Sequence, residues 1–343
     1  MTAWVVGAAT LGPLALAWLL TAWVRRYALA SALLDHPNER SSHTVATPRG
    51  GGVAIVVACL AATAALAAAG WLEARLATAA IAAGGLVATL GFLDDRYNVA
   101  ARWRFLGHAA AAAWVVYSLQ RIPSVAVAGL PLDLPVLGPL LAGILIVWMI
   151  NLFNFMDGID GIASVEAASV ALGGALVWWL AGDGSGWLLA LVFAFCVLGF
   201  LAWNFPPAKI FMGDAGSGFL GLMVALLALW CGQSTPHLFW AWFILTGCFM
   251  VDATTTLVRR VLAGERFYQA HRNHAYQYAS RRHRTHKGVT LAFGFINVAW
   301  LLPWAVAVAM QLVDGALATA LAFAPLLGLA LYYKAGNRAA QAD

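Results

Sequence analysis

Charge is scarce in this chain: Asp, Glu, Lys and Arg make up 10% of its 343 residues, and hydrophobic residues make up 62%. One soluble core could not bury that much apolar surface, so water-soluble globular folds and disordered chains are excluded. Cysteine is sparse too. Cys59, Cys196, Cys231 and Cys248 lie within or at the ends of apolar runs and show no paired spacing. This excludes a disulfide framework and a cysteine-bound zinc site, and leaves them as packing residues. No polar stretch is long enough for a separate soluble domain, so residues 1–343 read as one integral-membrane domain.

What is abundant is apolar length. Runs of roughly 17 to 25 residues recur along the chain, and a helix needs about twenty to cross the hydrocarbon. The pattern predicts an all-α polytopic membrane protein with about eleven transmembrane helices. They cover residues 3–24, 51–70, 76–93, 105–121, 135–153, 162–182, 186–203, 217–233, 237–258, 289–310 and 316–333. Lys and Arg are retained on the cytoplasmic side of a membrane. With eleven spans, all of the 20 Lys and Arg except Arg75 and Arg121 fall on one side. The N-terminus is therefore expected outside, in the periplasm, and the C-terminus in the cytoplasm. The first span has Arg25-Arg26 after it and no basic residue before it, the reverse of a secretory signal, so it is expected to remain as an anchor. The net charge of +5 follows from this sorting. It favours anionic head groups and nucleotide phosphates at the cytoplasmic face, and no nucleic-acid partner is expected.

The acidic residues, sorted by the same topology, gather on the cytoplasmic side in five clusters. In DHPNERSSHTVATPRGGG (Asp35 to Gly52) a proline and three glycines mark a turn; glycine amides beside Arg49 can also wrap a phosphate, and His43 lies in the same loop. In GFLDDRYN, Asp94 and Asp95 end a span, and adjacent carboxylates at a membrane boundary need a cation, a basic side chain or hydration to offset them. In NLFNFMDGIDG, Asn151, Asn154, Asp157 and Asp160 are spaced by three. An unbroken helix would spread them over half its circumference. A break at Gly158 and Gly161 would let Asn154, Asp157 and Asp160 converge, and such oxygen ligands suit magnesium or manganese better than zinc.

In NFPPAKIFMGDAGSG, Lys209 offers a positive charge, and Asp214 follows Gly213 at the start of a helix whose free amides can hold phosphate or be capped by a carboxylate. The last cluster is a basic cytoplasmic loop over residues 259–288. There His271 and His274 lie one helical turn apart with Arg272 between them. Carboxylates, one lysine, arginines and histidines on one face amount to equipment for handling a diphosphate through a divalent cation.

The motifs GFLDDR, NLFNFMDGIDGIAS and NFPPAKIFMGDAGSGFLG, in this order, resemble those of the polyprenyl-phosphate N-acetylhexosamine-1-phosphate transferases over about four-fifths of the chain. The resemblance implies that a UDP-N-acetylamino sugar gives its sugar-1-phosphate to undecaprenyl phosphate in a bacterial inner membrane, releasing UMP, with Mg2+ as cofactor and Mn2+ as a substitute. It implies that Asp214 binds the metal with Asn154 and Asp157 beside it, and that Asp94 and Asp95 activate or orient the lipid phosphate. Asp160 is counted with the catalytic carboxylates. Lys209, Asn151, Gly213, Arg49, His43, His271, Arg272 and His274 are candidate substrate contacts.

Direct attack by the lipid phosphate and a covalent aspartyl-phosphate both remain open at this point, as does a homodimer. Many members carry a His-x-His-His pattern in the last loop, where this chain has Tyr276 and Gln277 at the later positions. That departure resembles the O-antigen-initiating branch, which can use 6-deoxy amino sugars such as N-acetylfucosamine or N-acetylquinovosamine, and it argues against the muramoyl-pentapeptide donor and against a simple assignment to N-acetylglucosamine. A secondary transporter is the competing class, but transporters place their acids near the bilayer midplane, and here only Asp252 lies well inside a span.

Overall fold

The computed structural model describes residues 3–31, 34–35, 46–127, 130–132, 134–182, 184–265 and 272–337. The elements run α1 (Ala3–Ala30), β1 (Leu34–Asp35), β2 (Thr47–Pro48), α2 (Gly52–Ala68), α3 (Ala74–Tyr97), α4 (Ala101–Ser118), β3 (Val125–Val127), β4 (Leu130–Leu132) and α5 (Leu137–Met156). Then follow α6 (Ile162–Leu180), α7 (Gly186–Asn204), α8 (Asp214–Ser234), α9 (Pro236–Leu245), α10 (Gly247–Leu262), α11 (Ala275–His283), α12 (His286–Ile296), α13 (Leu302–Ala309) and α14 (Gly315–Tyr332), with a π-helical turn over Asn297–Leu301 joining α12 to α13. The strands form two small antiparallel pairs, β1 with β2 and β3 with β4. This is an all-α polytopic membrane protein.

Every expected span falls on a helix. Among the described residues, eight helices are long and apolar enough to cross a membrane, and a ninth crossing results if α9 and α10, bent by 73°, count as one. The difference from the expected eleven lies in α2, an apolar helix of 17 residues, and in α4, whose first turn carries Arg102 and Arg104.

The centre of the bundle is α8. All residues from Ala215 to Gly232 are buried, and the helix packs against α3 and α5 most extensively, then against α9 and α2. Lipid tails are as apolar as leucine, so helices in a bilayer associate through close packing, and small residues permit it. At the crossing of α2 and α8, a Cβ on Gly216 would lie 2.6 Å from the Gly52 Cα. At the crossing of α3 and α8, a Cβ on Gly91 would meet the Asp214 carbonyl carbon and the Ala215 nitrogen, each at 2.5 Å. The motif aspartates therefore sit where helix backbones touch.

A second buried polar group holds the far side of the bundle. Glu166 on α6 is fully buried; it accepts a hydrogen bond from Asn297 Nδ2 (2.7 Å) and faces the Phe249 N–H (3.4 Å) at the start of α10. A carboxyl at membrane depth needs such partners. It ties α6 to the π-helical turn and to the segment just beyond the α9–α10 bend.

Candidate active site

The site assembles at one end of the bundle from four chain segments. α3 ends at Asn98 in a left-handed C-cap whose N–H donates to the Asp94 carbonyl, leaving Asp94 and Asp95 on the last turn. α5 stops at Asp157. α7 ends at Asn204, before a Phe-Pro-Pro sequence that cannot continue the helix. α8 then starts after Gly213, whose φ of 78° belongs to the left-handed region that glycine tolerates.

The turn after β2 supplies the fourth segment. The Phe211 N–H donates to the Pro48 carbonyl (2.8 Å), and the Gly51 and Gly52 N–H groups donate to the carbonyls of Phe211 and Met212 (2.9 Å each). This pairing carries Arg49 to the start of α8. It also occupies the Gly51 and Gly52 amides, so these two glycines serve backbone pairing and close packing.

Arg49 bridges two motifs. Its Nη2 lies 2.7 Å from Asp95 Oδ1 and 3.0 Å from Asp214 Oδ1. Burial alone would lower the Arg49 pKa, but the charges of Asp95 and Asp214 prevail and hold it above its ordinary value. Asp95 has a second task. Its carboxylate accepts the Asp214 N–H (2.9 Å to Oδ2, 3.1 Å to Oδ1) and lies 3.4 Å from the Ala215 N–H, so it caps α8 from a helix 119 residues away. The free amides expected at that N-terminus are filled by Asp95. Asp94, its neighbour, pairs with Arg104 of α4.

Asn154 and Asp157 join this group. The Asn154 amide hydrogen-bonds to Asp214 and donates to Ser217 Oγ at 3.1 Å. Burial pushes the Asp157 carboxyl well above the ordinary carboxylate range, and the charges of Asp214, Asp95 and Asp160 push in the same direction against Arg49. Asp160 turns aside. Its Oδ2 accepts the Ala208 N–H (3.1 Å), its Oδ1 faces His286 Nδ1 (3.3 Å), and its carbonyl accepts the Thr290 hydroxyl. The break in the helix thus brings Asn154 and Asp157 to Asp214, and the extra turn through Gly161 (φ 74°) sends Asp160 to the loop after α7.

The other candidates make contacts of their own. The exposed Lys209 ammonium stands 5.5 Å over the Trp203 ring, and Asn151 donates to the Val147 carbonyl of its own helix (2.7 Å). Arg272 accepts from Arg281 through its carbonyl. His274 is buried, stacked on Tyr276 at 5.7 Å, with Nδ1 3.4 Å from Asp252. His43 and His271 lie outside the described residues. Three residues outside the expected set also shape the site. Arg104 pairs with Asp94. Asn204 accepts the Gly161 N–H (3.1 Å) and donates to the Ile210 carbonyl (3.0 Å), tying α6 to the loop before α8. Asp252 holds the start of α11. Asn204 left a signal as the amide that opens the NFPPAK motif, and Asp252 as an acid well inside an apolar span.

Among the described residues no three His, Cys, Asp or Glu side chains come together closely enough to hold a metal ion by themselves. The donor set still fits a hard divalent cation as a minority of its ligands. Asp94, Asp95, Asp157 and Asp214 face one another with Arg49 and Arg104 as compensating charges, and Mg2+ characteristically takes one or two carboxylates and completes its shell with phosphate oxygens and water.

Residues 76–232, which carry all three aspartate motifs, match glycosyl transferase family 4. A Bacillus subtilis protein described as "Probable undecaprenyl-phosphate N-acetylglucosaminyl 1-phosphate transferase" is 30% identical over 286 residues, which cover 81% of this chain and 79% of that protein. The chain belongs to the polyprenyl-phosphate N-acetylhexosamine-1-phosphate transferase family. A decaprenyl-phosphate N-acetylglucosaminephosphotransferase of Mycolicibacterium smegmatis is 36% identical over 60% of this chain and 55% of its own length. A phospho-N-acetylmuramoyl-pentapeptide-transferase of Streptococcus thermophilus is 30% identical over 41% and 44%. Members of this transferase family are membrane enzymes that use a polyprenyl phosphate and a UDP-sugar, and the transporter reading falls.

Proposed function

We propose that this enzyme transfers an N-acetylamino-sugar-1-phosphate from a UDP-sugar to undecaprenyl phosphate, releasing UMP, at the cytoplasmic face of a bacterial inner membrane. The observation that carries the reading is the meeting of Asp95, Asp157 and Asp214, from three separate motifs, around Arg49. In the reaction an oxygen of the lipid phosphate forms a bond to the sugar-bearing phosphorus, and the bond from that phosphorus to the bridging oxygen of UMP breaks. A phosphate monoester with a second pKa near 6 is largely dianionic at pH 7 and needs no base to attack. Asp95 is engaged by backbone amides and Arg49, and Asp94 by Arg104, which favours direct attack over an aspartyl-phosphate.

Asp214, with Asn154 and Asp157 beside it, would hold Mg2+ together with the diphosphate. The cation supplies charge neutralisation as negative charge builds on the phosphoryl oxygens. Arg49 contributes a second positive charge at the same place and offsets the repulsion between Asp95 and Asp214. Asp95 fixes the first turn of α8 and hence the direction of Asp214.

Two of the three relatives named above, including the one that covers 81% of this chain, are N-acetylglucosamine transferases by name, which favours that sugar over the 6-deoxy donors and gives O-antigen initiation no support. Purified protein with Mg2+ and undecaprenyl phosphate is expected to release UMP from UDP-N-acetylglucosamine, with UDP-N-acetylgalactosamine, the 6-deoxy donors and UDP-N-acetylmuramoyl-pentapeptide run in parallel. Absence of UMP with every donor, against an acceptor shown to be active with another transferase, sinks the reading.

The sorting of Lys and Arg supports eleven crossings with the N-terminus in the periplasm. All four native cysteines are buried, so an impermeant maleimide reports on introduced ones. It is expected to label Leu312→Cys in intact cells and His283→Cys only after lysis; the opposite pattern inverts the topology.

A further inference from the structure

Beside the candidate site another buried carboxylate organises the segment that reaches the end of α5. Asp252 on α10 is 4% exposed. Its Oδ1 accepts the Ala275 N–H and its Oδ2 the Tyr276 N–H, both at 2.9 Å, and the Thr256 hydroxyl donates to Oδ1 at 3.2 Å. The first amides of α11 are therefore capped by a side chain from another helix. The His274 N–H, donating to Gln277 Oε1 at 3.3 Å, closes the turn locally.

So fixed, Tyr276 extends under the end of α5. Its ring is buried, and its hydroxyl donates to the Phe155 carbonyl at 3.0 Å. That carbonyl belongs to the last turn of α5, where intrahelical partners run out. The space beside Gly158 is filled as well: a Cβ there would collide with Tyr276 Oη and lie 3.1 Å from Gln277 Nε2. Asp157 stands between these two fixed points, Phe155 on one side and Gly158 on the other.

We propose that Asp252 and Tyr276 act together as positioning residues for Asp157, Asp252 by orienting the start of α11 and Tyr276 by holding the Phe155 carbonyl and the backbone at Gly158. Both side chains are buried and act through the backbone on either side of Asp157. The inference rests on the site proposed above, with Asp157 a member of it. It also gives Tyr276 and Gln277 a task as the wall against which Gly158 packs.

Two variants test it in the purified enzyme. Tyr276→Phe keeps the ring and removes the donor, and loss of one hydrogen bond corresponds to about a tenfold fall in kcat. KM for both substrates is expected to stay within about twofold, since only an interaction that shapes the transition state is lost. Asp252→Asn replaces one acceptor oxygen with a donor facing an N–H, and a larger fall in kcat is expected.

A cycle between Gly158→Ala and Tyr276→Phe supplies a readout that does not depend on turnover. Gly158→Ala alone is expected to lower the Tm, and Tyr276→Phe, by removing the oxygen the new methyl meets, is expected to restore part of that loss in the double variant. An unchanged kcat in Tyr276→Phe, a defect confined to KM, or additive Tm changes overturns the proposal. An inactive wild-type enzyme with the Tm coupling present overturns the proposed reaction and leaves the packing relation standing.

Discussion

Asp214→Asn is expected to lower UMP release by about 10³-fold or more, a loss of roughly 4 kcal/mol of transition-state stabilisation. The substitution barely changes volume, and the backbone N–H that Asp95 accepts is untouched, so α8 keeps its cap and the protein its fold. What disappears is the charge that stands 3.0 Å from Arg49 and against Asn154. The cation then loses its principal carboxylate, and Arg49 is left paired to Asp95 alone. Turnover at saturating Mg2+, together with Mn2+ binding followed by electron paramagnetic resonance, checks both consequences. Full activity in Asp214→Asn would remove Asp214 from the metal assignment whatever the fate of the reaction.

Arg49→Ala is expected to cost about 10²-fold in turnover, roughly 2.7 kcal/mol, and to move cation affinity the other way. The guanidinium offsets Asp95 and Asp214, and without it those carboxylates face each other across the same gap. Added Mn2+ should then bind more tightly than to the wild type, because its competitor for the two carboxylates is gone, while the charge that helped hold the diphosphate is gone as well. Arg49→Lys should fall between the two, since one nitrogen, Nη2, makes both contacts and an ammonium keeps that charge, but on a shorter and more strongly hydrated side chain. A variant with weaker Mn2+ binding and unchanged turnover would show that Arg49 serves only the fold.

Much of this was legible in the sequence because polar residues stand out in an apolar chain. The helical segments, the motif aspartates and the need for a break after Asn154 all follow from run length and three-residue spacing. The bend between α9 and α10 did not, because no proline or charge marks Thr246, and what supports the new helix start is Glu166 on α6. Asp95 was legible as a costly carboxylate but not as the cap of α8, since its partners are two backbone amides 119 residues on. The same holds for Asp252, which reads as an acid inside a span until the start of α11 is seen beside it. Asp160 shows the converse. Spacing grouped it with Asp157, and the chain direction set at Gly161 delivered it to Ala208 and His286.

The enclosure of α8 also bears on how the protein is made. Its apolar stretch is as hydrophobic as that of α1, enough to enter a bilayer unaided, yet in the finished molecule it is walled off by protein. Its enclosure is complete only once α9, which follows it in the chain, has packed against it. Gly52, Gly91 and Gly216 are the points at which that enclosure closes, backbone against backbone. A bulky residue at any of them would leave α8 stranded among lipids, and the cell would register the fault as a degraded protein before any assay could register it as a slow enzyme.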